Sequence, residues 1–326
     1  MSDEPTLADL GEFAVIDRLV AGRPHNPKTL LGPGDDGAVV AASDGRVVVS
    51  TDMLVESRHF RLDWSTPHDV GRKSVAQNAA DVEAMGATAI GFVVAFGAPA
   101  DTPATTVDEL ADGMWEEARR VGADIVGGDL VSRPQWVVSV TALGDLSGRP
   151  PVTRSGATAG SVVAIRGELG RSAAGYALWH NNVHGFDQLR RRHLVPEPPY
   201  GQGAVAADAG AGAMIDVSDG LVADLRHIAD ASSVSIELSS DIIACPSRPC
   251  KQSLPQPRPR SIPRKNEDCP IACGAPYPIP PALRRHCCPR SRQSLPGRFR
   301  AIGFSSSRSA EASRTGLHKI HPRCTY

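Results

Sequence analysis

Apolar and polar positions in residues 1–240 alternate with the periods of strands and helices, which predicts an α/β chain. The run Val47-Val48-Val49-Ser50-Thr51 is β-branched and reads as a strand with Asp52 at its end. Thr66-Pro67-His68-Asp69 supplies an N-cap hydroxyl, a first-turn proline and an acid three residues on. It predicts a helix to about Met85, stopped by Gly86. Ala89 to Phe96 reads as a buried strand. Thr106-Val107-Asp108-Glu109 is a second capping-box start, followed by Val107, Leu110, Met114 and Ala118 at helical spacing and a stop at Gly122.

The pattern then predicts a short strand at Asp124 to Val126, a turn at Gly127-Gly128-Asp129 and a strand from Trp136 to Leu143. The segment PVTRSGATAGSVVAIRG opens a second unit, with a strand at Ser161 to Ile165. Ala213 to Val217 is another strand, leading through Ser218-Asp219-Gly220 into a helix from Leu221 to Ala231, with a last strand at Ser235 to Leu238. Three divisions follow: 1–150, 151–242 and 243–326.

Past Asp241-Ile242 no period of 2 or 3.6 persists. Prolines recur every few residues, so a segment without regular structure is expected. Composition sharpens the boundary. Residues 1–242 hold 19 basic and 33 acidic side chains; residues 243–326 hold 16 and three. All seven cysteines and 14 of the 27 prolines lie after 242. Cys269, Cys273, His286, Cys287 and Cys288 match no common zinc spacing. The positive balance would give weak, salt-dependent nucleic-acid binding at most, and no nucleic-acid partner is expected. No apolar run reaches the roughly 18–20 residues of a membrane span. The acidic start MSDEPTLADLGEF lacks the features of a signal peptide, so a cytoplasmic protein with no membrane partner is expected.

The candidate chemistry is carboxylate-rich. Asp35 and Asp36 lie in GPGDDG, Asp52 in STD, Asp129 in GGD, and Asp216 and Asp219 in IDVSDG. Asp81 joins them from a helix, where Asp81, Asn78 and Ser74 share one face. Each alone has a plain reading: Asp beside Gly forms turns, Asp219 caps a helix, Asp81 sits in water. Together they need cations, and oxygen donors on short loops suit Mg2+.

GPGDDGAVV also spells a glycine-rich dinucleotide loop, but Ala38-Val39-Val40 is strand-like and two acids would repel a pyrophosphate. A phosphate carried by Mg2+ fits better, with backbone N–H groups of the glycine turns. No G-x-x-x-x-G-K-[ST], HExxH or G-x-S-x-G motif occurs, and residues 1–242 hold no cysteine nucleophile. His59 and Arg154 are candidate phosphate contacts, each with a structural or surface alternative. Lys73 reads as a solvated charge near a helix start.

In order along the chain, GEFAVIDRL, GPGDDGAVV, STDMLVESRHF, GRKSVAQNAADVEAMGA, GGDL, TRSGATAGS, RHLVPEPP and IDVSDGLVADLRHI resemble the thiamine-monophosphate kinase family of the aminoimidazole-ribonucleotide synthetase superfamily. The resemblance covers about residues 10–240. It implies a two-domain aminoimidazole-ribonucleotide-synthetase-like α/β (α+β) fold, a homodimer formed through the N-terminal sheet, and ATP between the domains. The implied reaction moves the γ-phosphoryl group of ATP to thiamine phosphate. Asp36, Ser50, Thr51, Asp52, Asp81, Asp129, Asp216 and Asp219 are the implied Mg2+ ligands. Gly128, Asp129, Arg154 and Ser218 are the implied ATP contacts, and His59 the implied thiamine phosphate contact.

The resemblance stops near Ser240-Asp241. The family's Gly-Gly-Glu-Asp motif, whose Glu and a later aromatic residue help hold thiamine, does not occur here. Residues after 242 therefore read as an out-of-frame or aberrant tail, with the second domain incomplete. Two alternatives to the kinase follow: a non-catalytic Mg-ATP-binding remnant or dimer partner, and another ATP-dependent synthetase of the superfamily.

Overall fold

The computed structural model describes residues 4–33 and 37–238, with the backbone of 298–301 and 317–322. The elements run α1 (Leu7–Leu10), α2 (Glu12–Val20), β1 (Thr29–Leu31), β2 (Val39–Val40), β3 (Val47–Val55), α3 (Pro67–Ala84), β4 (Thr88–Ala98), α4 (Ala104–Val121), β5 (Asp124–Ser132) and β6 (Val137–Asp145). They continue with β7 (Val162–Ile165), α5 (Arg171–His180), α6 (Asp187–Leu194), α7 (Gln202–Asp208), β8 (Asp216–Val217), α8 (Leu221–Ser232), β9 (Ser235–Glu237), β10 (Arg298–Ala301) and β11 (Leu317–Pro322).

β3, β6, β4 and β5 form one sheet in that order, with β4–β5 parallel and the other neighbours antiparallel. One face packs on α3 and α4, enclosing Val75, Ala79, Phe92, Val138, Met114 and Trp115. The other face leaves Val49, Met53 and Val93 exposed. A second, parallel sheet runs β8-β11-β7-β10-β9 and packs Val163, Ile215 and Val217 against Leu225 and Ile228 of α8.

α3 is the spine between the two. Thr66 and Asp69 cap it reciprocally, and Pro67 fills its first turn. It crosses α4 closely enough that a Cβ on Gly71 would lie 2.0 Å from the Leu110 carbonyl. Gly113 of α4 has the same relation to the His68 carbonyl, so only glycine fits at either point. From the second unit, Gly201 and Gly203 donate backbone N–H bonds to the buried Glu83 carboxylate at 2.8 and 2.7 Å. Arg72 pairs with buried Glu117 at 2.7 Å, and Tyr200 donates to that same carboxylate at 2.6 Å.

Five expectations are corrected. β3 continues to Val55, because Met53-Leu54-Val55 pair on against β6, so Asp52 lies within the strand. α4 begins at Ala104, with Pro103 rather than Thr106 in the cap position. Gly127-Gly128-Asp129 is no turn but part of β5. A Cβ on Gly128 would lie 2.2 Å from the Val94 carbonyl, so this glycine serves close strand approach. Of Ala213 to Val217, only Asp216–Val217 pairs as strand. The tail, expected without regular structure, supplies β10 and β11 to the second sheet. Strand β7 needs a hydrogen-bonding neighbour on each side, and these two segments provide them.

Candidate functional site

The candidate site begins where β3 meets α3. Side chains alternate along β3, so Ser50 and Asp52 share a face toward α3 while Thr51 is exposed on the other. Ser50 Oγ donates to Asp81 Oδ2 at 2.8 Å. One turn earlier on the helix, buried Asn78 accepts the Asp52 backbone N–H at 2.9 Å. Asn78 in turn donates to the Ser74 carbonyl at 2.8 Å. The shared helix face of Ser74, Asn78 and Asp81 is therefore directed at β3. The Thr51 hydroxyl instead donates to the Val140 carbonyl and accepts from Thr141.

His59 follows β3 in a tight turn. Its Nδ1 accepts the Val55 N–H at 2.9 Å, which places the proton of the neutral ring on Nε2. Burial lowers its pKa, and the Arg58 and Lys73 cations add to this, while Asp52 acts in the opposite sense. Lys73 is 3% exposed, not solvated as its sequence position suggests, and donates to the His59 carbonyl at 2.9 Å. It helps fix the turn that presents His59.

The other candidates occupy three places. Buried Asp216 lies on β8, which packs against the same helix α3. Ser218 and exposed Asp219 lie in the loop between β8 and α8. Asp219 is not the N-cap; Gly220 holds that position. The loop is instead shaped by Asp224, whose Oδ2 accepts the N–H groups of Ser218, Asp219 and Gly220 at 3.0, 3.2 and 3.1 Å. Burial raises the Asp224 pKa, with the three backbone bonds opposing. The sequence signal for Asp224 was an acid in the first turn after S-D-G. Arg154 is exposed, and its carbonyl accepts Ser232 Oγ at 2.7 Å at the end of α8.

Gly128 and Asp129 stand apart. They lie on β5, the edge strand opposite β3. With neighbouring strands about 4.8 Å apart, that is roughly 14 Å from Asp52 within one chain. Asp35 and Asp36 lie outside the described residues. Among the described residues, no three His, Cys, Asp or Glu side chains converge as a metal site. No described helix is long and apolar enough to cross a membrane.

Comparison with known proteins gives a consistent answer. Residues 34–146 match the N-terminal domain of AIR synthase related proteins. The chain is 71% identical over 243 residues to thiamine-monophosphate kinase of Mycobacterium tuberculosis, covering 74% of this chain and 73% of that one. It is 42% identical over 254 residues to the Corynebacterium glutamicum enzyme, covering 75% of each. Among solved structures, thiamine-monophosphate kinase from Stenotrophomonas maltophilia superposes with a TM-score of 0.59 at 32% identity, covering 70% of this chain and 74% of that one. AaThiL complexed with AMPPCP and TMP gives 0.54 at 29%, covering 73% and 75%. These relatives share the reading that the ordered motifs suggested, and they set aside another synthetase of the superfamily. With its mixed α/β fold and a relative 71% identical along nearly three quarters of both chains, the protein belongs to the thiamine-monophosphate kinase family.

Proposed function

We propose that this chain transfers the γ-phosphoryl group of ATP to thiamine phosphate, forming thiamine diphosphate. The observation that carries the proposal is the junction of β3 and α3, where Ser50, Asp52, Asp81 and His59 gather. A relative solved with AMPPCP and TMP supports the same pair of ligands.

The nucleophile is a phosphate monoester oxygen. Its second pKa is about 6, so it is largely ionised at neutral pH and needs no general base. The obstacle is the approach of two polyanions, and positioning with charge neutralisation is the remedy. His59 Nε2–H is placed to donate to the thiamine phosphate. Arg154, Ser218 and Gly128 are proposed to contact ATP, with Asp224 holding the Ser218 loop in shape. Residues 1–150 and 151–242 are taken as the two units between which the nucleotide lies, and the cytoplasm is the proposed setting.

The donor set fits Mg2+: carboxylates and hydroxyls are hard oxygen ligands, and thiolates are absent from it. Asp52 and Asp81, with Ser50, would hold the ion nearest the reaction, joined by Asp36, Thr51, Asp216 and Asp219. Thr51 would have to use its carbonyl, since its hydroxyl lies on the other face. Bound Mg2+ supplies charge neutralisation for the phosphates.

Asp129 joins this set only in a homodimer. β3 and β5 are the opposite edges of one sheet, and that sheet leaves an apolar face exposed at Val49, Met53 and Val93. Two copies packed through this face would set the β5 edge of one beside the β3 edge of the other. The partner's Asp129 would then complete a site that one chain leaves open.

A second reading has its own observation. No Gly-Gly-Glu-Asp occurs after residue 242, where the family motif for thiamine is expected. On that reading the chain binds Mg-ATP, or pairs with an intact copy, without turnover. Thiamine diphosphate formation, measured on the purified chain with an Asp52→Ala control, separates the two.

A further inference from the structure

Glu83 is the last acid of α3 and is 3% exposed. Two positions apart on a helix, side chains point to opposite sides, and here each side has its own task. Asp81 faces β3, where Ser50 Oγ reaches it at 2.8 Å. Glu83 faces the second unit. Its Oε1 accepts the Gly201 N–H at 2.8 Å and its Oε2 the Gly203 N–H at 2.7 Å, so both carboxylate oxygens hold the start of α7. The approach is close: a Cβ on Gly203 would lie 2.0 Å from the Glu83 carbonyl oxygen. Gly203 has no positive φ, so contact alone requires glycine there.

α7 is tied to the nucleotide half of the proposed site. Residues 209–215 lead from it to β8, which holds Asp216 and opens into the Ser218-Asp219 loop. That connection is packed: Ala206, Ala211 and Met214 cluster with Val152, where the chain enters the second unit. The Val152 N–H in turn donates to the Met85 carbonyl, at the end of α3, at 3.0 Å. Both α7 and β8 lie against α3. One helix therefore presents Asp81 to β3 and, through Glu83 and α7, holds the segment that leads to Asp216 and Ser218. We propose that Glu83 is a positioning residue for phosphoryl transfer, setting the Asp216–Ser218 half of the site against the Asp52–Asp81 half. This role rests on the reading that Mg-ATP lies between the two units, and it names what sets their spacing. A carboxylate suits the task, because it accepts two charge-assisted bonds at once. Small errors in such spacing are costly: a displacement of about 1 Å at reacting groups costs on the order of 10²-fold in rate.

Two variants disturb the contact from opposite sides. Glu83→Gln keeps the size and one acceptor oxygen, but its amide N–H2 would face a backbone donor. Gly203→Ala leaves the carboxylate in place and pushes α7 away from α3. Val15→Ala opens a cavity in the core of the first unit and controls for lost stability alone. Full-length chains would be compared well below their melting temperatures, by steady-state kinetics and by calorimetric titration with Mg-ATP and with thiamine phosphate. The expected result is kcat lowered about tenfold or more and Mg-ATP binding weakened about tenfold in both junction variants. Thiamine phosphate binding should be unchanged, because its proposed contact His59 lies on the first unit, and Val15→Ala should match the parent in all three. Folded Glu83→Gln or Gly203→Ala with the parent's kcat and Mg-ATP affinity overturns the role. Equal losses in Val15→Ala overturn it too, since stability alone would then account for them. So does thiamine phosphate binding weakened as much as Mg-ATP binding, which marks general disruption. In a parent that binds Mg-ATP without turnover, the Mg-ATP affinities of the variants decide. A parent that binds no Mg-ATP overturns the nucleotide reading itself, and this role with it.

Discussion

Ser50 and Asp81 meet across the β3–α3 junction, the Ser50 hydroxyl donating to the Asp81 carboxylate at 2.8 Å. The contact joins a strand residue to a helix residue 31 positions later and sets the carboxylate beside the Asp52 segment. Asp81→Asn keeps the shape and an acceptor oxygen but removes the charge. The expected result is a fall in kcat on the order of 10²-fold, with the melting temperature nearly unchanged. Steady-state kinetics with thermal melting checks it; an equal kcat would remove Asp81 from the site.

Glu117 is fully buried and answers both Arg72 and Tyr200. Glu117→Ala would leave the Arg72 charge, itself only 5% exposed, without that partner. Breaking a buried pair this way costs about 3–5 kcal/mol. Urea unfolding should show the midpoint lowered accordingly. A loss below about 1 kcal/mol would mean that Glu116, 3.1 Å from Arg72, compensates.

Buried His193 accepts or donates at Ser172 Oγ, 3.1 Å away. Burial, with the Lys73 cation adding to it, lowers its pKa from 6.5 to about 3. The unfolded chain takes up this proton near pH 6.5 and the folded chain only near 3. The stabilisation is whole above pH 6.5 and is lost as pH falls toward 3, at up to about 1.4 kcal/mol per pH unit. His193→Asn should flatten the acid side of the stability curve between those values. Urea midpoints across pH 4–7 check it, and parallel curves for both proteins would contradict it.

The placement of Asp52 and Asp129 on opposite sheet edges makes a distinct prediction. Asp52→Ala and Asp129→Ala should each be inactive alone. Refolded together, half the dimers would be mixed and each would hold one intact site, so about a quarter of the parent activity should return. No recovery, despite mixed dimers seen by native mass spectrometry, would place both residues in one chain's site.

Much of this was legible in the sequence because it depends on local chemistry. The Thr66-Pro67-Asp69 cap fixed the start of α3, and helical spacing put Asn78 and Asp81 on one face. Gly127-Gly128-Asp129 misled for a physical reason: two glycines signal a turn as readily as close strand packing, and only the Val94 carbonyl opposite Gly128 decides. Lys73 misled too, since burial of a lysine depends on what the fold lays over it, here the His59 turn. The separation of Asp52 from Asp129 is a matter of strand order, which no local pattern encodes. Strands β10 and β11 complete a sheet by pairing across long sequence separation, for which proline-rich composition gave no cue.

The central claim is that this chain phosphorylates thiamine phosphate through the β3–α3 junction. The direct measurement is thiamine diphosphate formation by the purified chain with ATP, Mg2+ and thiamine phosphate, beside Asp52→Ala. The account predicts product from the parent chain and none above background from the variant. A folded chain that binds Mg-ATP and makes no product, or an Asp52→Ala protein as active as its parent, would contradict it.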